Sequence, residues 1–521
     1  MFLNEMNRIY EIIHPLAFQT RYNSWWISQE NNDFQTVVSS PGDDCDFGLL
    51  IIRMCLLSCQ CLPHPKYPTK GVVHTHLSEL EEWLYATADQ IDTARAPHPP
   101  STITVQQRFF NVCYLKNYAK IREAWSVLSA AIKDAHEVGL HLKDPGIIIS
   151  ELDLEYRRRT FWSLYVWDRF MSSFFGHWPL IPEGYFDIDL PHDNLQAYTV
   201  SPYILTPFTS RVVHIKLARY MTAFMSPPSW RSDQLDPIVV ADFSQRFQEV
   251  ILDQLPPAFW LDNADTTWDA VDPTITGKRS LLHMFVVSTK AALYKAFADP
   301  CNNLRQPKDG RPNYRGDLLA LSHRRSLMKE TCGVISSIHK LYMLPPDERS
   351  EAGDNLFLFP TFMTEALTCL GVCLLSIQAD RDILAANGIQ VSSDPGLQYS
   401  YAAFFNGYNV ICQQAPRYAL ARKAMRIMEG FHGTVRATAC NQYPDIVEVD
   451  YAPGTLTAAG TVGSVNVFQL EHALVSMYSQ GGEKVTSNTN LPLPSWLPSF
   501  LDSPARSWVF QNGAFFRDLL A

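Results

Sequence analysis

The chain has 521 residues, of which 46% are hydrophobic and 18% charged. That composition excludes global disorder, because such a chain can bury a large core. A formal charge of −10 excludes the whole body as a basic nucleic-acid grip, and the length corresponds to about three to four domain-sized units or one large fused body.

The 11 cysteines are odd in number, and several sit inside apolar runs, at 49–61 and 366–375. They read as reduced, buried thiols of an intracellular protein. The stretch after Met1 reaches Glu5 and Arg8 without a basic segment followed by an apolar one, so no secretory signal is read. The most membrane-like stretch, 357–377, carries Pro360 and Glu365 and reads as a buried helix, so no membrane partner is expected.

Helical periodicity dominates the chain. The first helices are predicted over 5–13, 47–61, 76–86 and 104–118. Between Lys120 and Leu140, Trp125, Leu128, Ile132, Ala135 and Gly139 recur at spacings of three and four, which is one helical face. Gly139 reads as the stop of that helix. After a loop at Asp144-Pro145-Gly146, Ser150 stands three residues before Asp153, a capping box with a short arm. It opens a helix over 151–174 whose second half, Phe161 to Met171, is apolar nearly all round, as in a central buried helix.

Further helices are predicted over 206–224, 236–254, 280–297, 320–341, 362–380 and 401–428. Asp236 followed by Pro237 reads as an N-cap with proline at the first helical position. Loops rich in Pro and Gly are read at 96–101, 226–231, 263–277, 305–314 and 392–398. One β patch is a candidate, at 446–449. The divisions are a body over 1–430 with a core motif at 119–195, a loop-rich extension over 431–480, and a Pro/Ser-rich linker with an aromatic tail over 481–521.

Several groups carry candidate chemistry. Asp43, Asp44 and Asp46 could bind Mg²⁺ and diphosphate as in a helical synthase, although Pro41-Gly42 just before them favours a solvated, helix-capping turn. Cys55, Cys59, Cys61, His64, His74 and His76 match no paired zinc-ligand spacing and read as buried thiols with bystander histidines. Asp187-Ile188-Asp189 is too short a pattern to carry a metal assignment. The run Glu155-Tyr156-Arg157-Arg158-Arg159 places Glu155 opposite Arg158 and Arg159 on one helix face. Those arginines suit carboxylates and free carbonyls of neighbouring helices better than phosphates. Asp168 and Arg169 stand among aromatics, and burial requires that both be paired. Tyr165, Trp167 and Phe174 could line a pocket, with core packing the simpler reading.

Taken in order, Ala131, Ala135, Gly139-Leu140-His141, Asp144, the Glu155–Arg159 run, Phe161-Trp162, Tyr165, Asp168-Arg169, Gly176 and Ile188-Asp189-Leu190-Pro191 resemble a known pattern. It is the middle homology region of fungal binuclear zinc-cluster transcription factors, the fungal-specific transcription factor domain. Lesser similarities extend from Leu3 to Met428, including Ile9 to Pro15, Val105-Gln106, Leu255-Pro256-Pro257 and Leu282-His283. The chain departs from the pattern at His177-Trp178 and at Lys295-Ala296, where Arg-Pro pairs are usual. The resemblance implies an all-α regulatory domain, and Gly139, Leu140, His141, Glu155, Arg157, Arg158, Arg159, Trp162, Tyr165, Asp168, Arg169, Gly176 and Pro191 as its structural residues.

The resemblance further implies a nuclear transcription regulator and not an enzyme, acting on a metabolic or secondary-metabolite gene set. Its partners would be the transcription machinery or a related factor, a small-molecule effector, and a second copy in a dimer. Zinc is expected only in an N-terminal six-cysteine module, which this sequence lacks. DNA would then be reached through that module or through a partner, and a co-regulator without DNA contact is the alternative. The tail at 508–521 reads either as an activation segment or as a helix docked on the body.

Overall fold

The computed structural model describes residues 1–30, 43–62, 67, 74–95, 99–118, 120–144, 146, 148–175, 177–192, 209–225, 237–272, 274–298, 314–343, 358–386, 395–416 and 419–442. The β candidate at 446–449, the linker, the tail, Gly176 and Asp236 lie outside them. Among the described residues there are fifteen α-helices and no strand, so the fold is all-α. No described helix is long and apolar enough to cross a membrane.

The helices are α1 (Asn7–Tyr10), α2 (Pro15–Glu30), α3 (Asp43–Cys59), α4 (His74–Arg95), α5 (Thr102–Asn117), α6 (Ile121–Glu137), α7 (Glu151–Phe175), α8 (Thr209–Met225) and α9 (Pro237–Val250). They continue with α10 (Ile275–Tyr294), α11 (Tyr314–Met343), α12 (Leu358–Leu375), α13 (Ile377–Ala386), α14 (Pro395–Gln414) and α15 (Ala419–Gln442). Helices α3 to α7 pack as one group, and α10 to α15 as another, around α11 and α12. Helix α8 lies against both α7 and α10 and joins the groups. A single apolar core runs through both.

Four predicted elements need correction. The helix expected over 5–13 is only the four-residue α1. Glu11 ends it in a left-handed conformation, φ 52°, and the Asn7 side chain closes the following turn on the amide and carbonyl of Ile13. Helix α2 is missing from the prediction; proline at its first position costs no hydrogen bond, because that amide has no partner inside a helix. The predicted 401–428 helix is two helices, since Pro416 cannot supply the amide that continuation requires. The predicted 362–380 helix divides at Ser376 into α12 and α13. Helix α15 also runs through position 430 to Gln442, so the body's last described helix extends past that boundary.

The acidic cluster forms the first turn of α3, where carboxylates favour the unpaired amides and the helix dipole. Asp46 is not solvated: it is 1% exposed and accepts hydrogen bonds from Ser101 Oγ (3.0 Å) and Thr104 Oγ1 (2.6 Å). Those two residues form the capping box of α5, so Asp46 ties the start of α3 to the start of α5.

Helix α12 is buried nearly all round. Its Thr364, Thr368 and the following Ser376 return their hydroxyls to the carbonyl four residues back, so their burial leaves no donor unpaired. Two glycines set its neighbours' distance. A Cβ on Gly371 would stand 2.5 Å from the Phe431 ring, and one on Gly407 would stand 2.9 Å from Leu367. Gly430, on the exposed side of α15, has nothing within 4 Å of such an atom.

The glycines separate packing from helix propensity. Gly371→Ala is expected to lower unfolding free energy by about 1–3 kcal/mol through overpacking. Gly430→Ala should raise it by up to about 1 kcal/mol, through helix propensity alone. Chemical denaturation of both variants checks the opposite signs.

Buried histidines give the fold an acid limit. His214 on α8 is held at about 3, because burial and then Arg211 oppose its charged form. His283 on α10 is held at about 4, chiefly by burial. Both pKa values lie below the unfolded value, so the unfolded chain binds the extra protons. Their contribution to stability is complete above about pH 6.5 and falls as pH drops, by about 1.4 kcal/mol per pH unit for each group. Replacing His214 with leucine should flatten the stability–pH slope between pH 6.5 and 5 by about that amount, as measured by denaturation across pH.

Candidate functional site

The core motif is a helix and a strap. Helix α6 ends in a Schellman turn: Gly139, at φ 72°, donates to His136 O (3.0 Å), and Leu140 donates to Ala135 O (2.8 Å). Leu140 is buried behind that turn. The carbonyls of Val138 and Gly139 are then taken by the Arg157 guanidinium, at 3.2 and 2.6 Å. One arginine of α7 therefore closes the end of α6.

Helix α7 starts as the capping pattern predicts, with a difference. The Asp153 amide donates to Ser150 Oγ (3.1 Å), and that hydroxyl donates to the Asp153 carboxylate (2.6 Å). The short aspartate side chain meets the capping hydroxyl, where a longer one would reach the backbone amide.

After α7 the chain turns back, and residues 177–192 run along that helix in the opposite direction. Asp168, fully buried, accepts the amides of Leu180 (2.8 Å) and Ile181 (2.9 Å) and the Arg169 guanidinium (2.6 Å). Arg169, 1% exposed, also donates to Ile181 O (2.6 Å), to Glu183 (3.3 Å) and to Thr222 Oγ1 of α8. Its guanidinium lies 4.1 Å over the Tyr165 ring. The Tyr165 hydroxyl donates to Glu183. One helical turn earlier, Trp162 Nε1 donates to Asp189 O (2.9 Å). At the far end the Glu155 carboxylate accepts the His192 amide (3.1 Å) and pairs with Arg159 (2.9 Å) and Arg158 (3.5 Å). Pro191 is buried beside this end.

A loop joins α6 to the same strap. The His141 carbonyl accepts the amides of Asp187 (3.1 Å) and Ile188 (3.3 Å), and its ring packs edge-on against His136 at 4.9 Å. Burial, then His136, lowers the His141 pKa. The Lys143 amide donates to Asp187 (2.8 Å) and its ammonium to Asp189 (3.1 Å). That hydrogen bond holds the Asp189 carboxyl below its usual range. Asp187 and Asp189 are thus engaged in lacing the strap down.

Burial raises the Asp168 pKa, and the two strap amides and Arg169 act against that rise. These donors match what a buried carboxylate needs. Arg157, Arg158, Arg159 and Arg169 are thus engaged with carbonyls and carboxylates of this motif; Gly176 lies outside the described residues. Sequence reading anticipated that Asp168 and Arg169 require partners. It missed Glu183 and Thr222, whose only signal was that such a pair needs further acceptors.

Among the described residues, no group of three or more His, Cys, Asp or Glu is placed to hold a metal ion. One Asp46 oxygen already accepts two hydroxyls, Cys61 Sγ lies 3.2 Å from Met6 Sδ, and burial holds the Cys59 thiol at about 12, fully protonated. His64 lies outside the described residues, as do the side chains of His74 and His76. These cysteines do not fit a binuclear zinc cluster. Of the pocket candidates, Tyr165 and Trp167 pack in the core, Trp167 with the Lys116 ammonium 4.7 Å over its ring, and the Phe174 side chain lies outside the description.

This all-α body, laced around an Asp–Arg pair, has likenesses among known proteins. Residues 1–204 match the family described as the fungal specific transcription factor domain. It is 26% identical over 389 residues to the probable transcription factor sol4 of Alternaria solani, covering 72% of this chain and 64% of that protein. It is 23% identical over 303 residues to the transcription factor xilB of Penicillium rubens, covering 55% of this chain and 43% of that protein. An ABC-transporter-regulating transcription factor of Aspergillus fumigatus is 25% identical over 117 residues, 22% of this chain and 13% of that protein. The chain therefore spans less than two thirds of these relatives. No solved structure matches.

The clamp is directly testable. Asp168→Ala leaves a buried guanidinium and two strap amides without their acceptor, and should cost about 3–5 kcal/mol of stability. Gly139→Ala forces a Cβ into the left-handed region and should cost about 1–2 kcal/mol. Hydrogen exchange should show the amides of Leu180 and Ile181 losing protection in Asp168→Ala and retaining it in Gly139→Ala.

Proposed function

We propose that the protein is a nuclear transcription regulator whose helical body is the regulatory domain. The observation that carries this reading is the match of residues 1–204 to the fungal specific transcription factor domain, over the same segment that holds the α7 clamp. The transcription factors among its relatives support it.

In this reading the body does no chemistry and carries no metal. Its net charge of −10 opposes non-specific phosphate contact. DNA is reached through a separate zinc-binding cysteine module or through a partner factor, and the body shifts between restrained and active arrangements when an effector binds one of them more tightly. A metabolic or secondary-metabolite gene set is the expected target.

The test is chromatin immunoprecipitation of the tagged full-length protein in its source organism, with transcript profiling after gene deletion. Promoter enrichment at genes whose transcripts change on deletion is the expected result. A protein excluded from the nucleus, or without promoter enrichment, would overturn the proposal.

A further inference from the structure

The first helical group buries an amine that the clamp does not use. Lys116, near the end of α5, is 1% exposed. Its Nζ donates to Asn117 Oδ1 (2.9 Å) and lies 4.7 Å over the Trp167 ring and 5.8 Å over the Tyr10 ring. Burial holds its pKa at about 8, with the Cys113 thiol one turn back acting against that shift. At pH 8 about half of the molecules therefore hold Lys116 as the neutral, nucleophilic amine, whereas an exposed lysine, near 10.4, is almost fully charged.

Two donors at the same junction are buried without a hydrogen-bonding acceptor. One is the Tyr10 hydroxyl, whose polar neighbour is the Cys113 thiol, a weak acceptor. The other is Arg211 Nε on α8. The Arg211 charge acts on Tyr10, Cys113 and Glu11, so α1, α5 and α8 meet here. Glu11 turns one oxygen to Lys278 of α10 (2.6 Å), is faced by Arg159 of α7 as well, and leaves Arg211 Nε unmet. His214, one turn after Arg211, is held uncharged by burial. Buried donors without an acceptor cost free energy that an anionic group recovers.

We propose that Lys116 is reversibly carboxylated by carbon dioxide, with Tyr10 and Arg211 as the donors that hold the resulting carbamate. The amine lone pair attacks the CO₂ carbon. A C–N bond forms, one C–O π pair becomes the charge on oxygen, and one amine proton leaves to water; nothing is oxidised or reduced. The carbamate nitrogen keeps one N–H for Asn117 Oδ1. CO₂ suits this place because it is small and uncharged, and enters an apolar core without an ion's desolvation cost. The product replaces a buried cation with an anion beside Arg211 and ties α5 to α1 and α8. The assignment does not rest on the transcriptional reading, since it is measured on the purified protein.

The full chain in ¹³C-bicarbonate is followed by ¹³C NMR, with triethyloxonium trapping and peptide mapping to place the label. A carbamate resonance is expected, with the trapped carboxyl on Lys116 and the resonance lost in Lys116→Arg. At fixed bicarbonate, dissolved CO₂ falls in step with the proton concentration, so occupancy follows the neutral amine alone. It should rise about fivefold from pH 7 to 8 and level off above about pH 9, whereas an ordinary lysine rises about tenfold and goes on rising. Arg211→Gln should lower occupancy about tenfold, the worth of one hydrogen bond to a charged group. Tyr10→Phe should lower it less. The mapping and the pH profile are read on the unaltered chain, so they decide even where a variant fails to fold. No carboxyl on Lys116, a profile without a plateau, or occupancy unchanged in folded Arg211→Gln would overturn the assignment.

Discussion

The N-terminal half of this molecule depends on the burial of one carboxylate. Asp168 has no access to water, so every lone pair it presents must be met from within the protein. Two strap amides and Arg169 meet them, and each of those groups brings its own requirements. Arg169 must place its remaining donors, and does so on Ile181, Glu183 and Thr222. The strap is thereby fixed to α7, and so is α8. Buried ionic groups add little net stability over apolar replacements, yet they penalise every arrangement that leaves them unpaired. The clamp therefore acts chiefly by excluding alternative positions of the strap and of α8.

The same logic recurs elsewhere at smaller scale. Arg157 takes the carbonyls that the Schellman turn leaves open, and Asp46 takes the hydroxyls that cap α5. In the second group, Arg324 and Asp380 join α11 to α13 in a buried pair, with Arg324 Nε on Phe297 O at 3.0 Å. In each case a charged side chain satisfies the backbone or capping groups of another helix. Where such ties are absent, as around Gly371 and Gly407, contact is made by removing side chains altogether.

Much of this was legible in the sequence, for reasons that differ by element. Helices α6 and α7 declared themselves because their apolar positions follow helical spacing and their ends carry Gly139 and Ser150. The buried half of α7 was readable because aromatic and aliphatic residues surround its few polar ones, Asp168 and Arg169 among them. Helix α2 was overlooked although Phe18, Tyr22, Trp25 and Trp26 recur at helical spacing, and they pack on one another and on Phe47. The break at Pro416 was overrun because strong periodicity on both sides masks a local stop. For the clamp, composition showed that Asp168 and Arg169 need partners. It could not show that a strap twelve residues further on supplies them, since pairing across a turn leaves no periodic trace.

The contact between Glu11 and Lys278 has a consequence in time. The two residues pair at 2.6 Å across 267 positions of chain, and Arg159 reaches the Glu11 carbonyl at 3.4 Å across 148. During synthesis at about 5–20 residues per second, Lys278 is made roughly 13 to 53 seconds after Glu11. For that interval the opening segment, left-handed kink included, waits without its far partner while α3 to α7 can already pack. Loop-closure entropy for such distant partners must be met before their contact rewards it, which slows folding. Residues around Glu11 are thus made early yet are among the last of this body to reach their final place, and a nascent-chain chaperone would find them exposed.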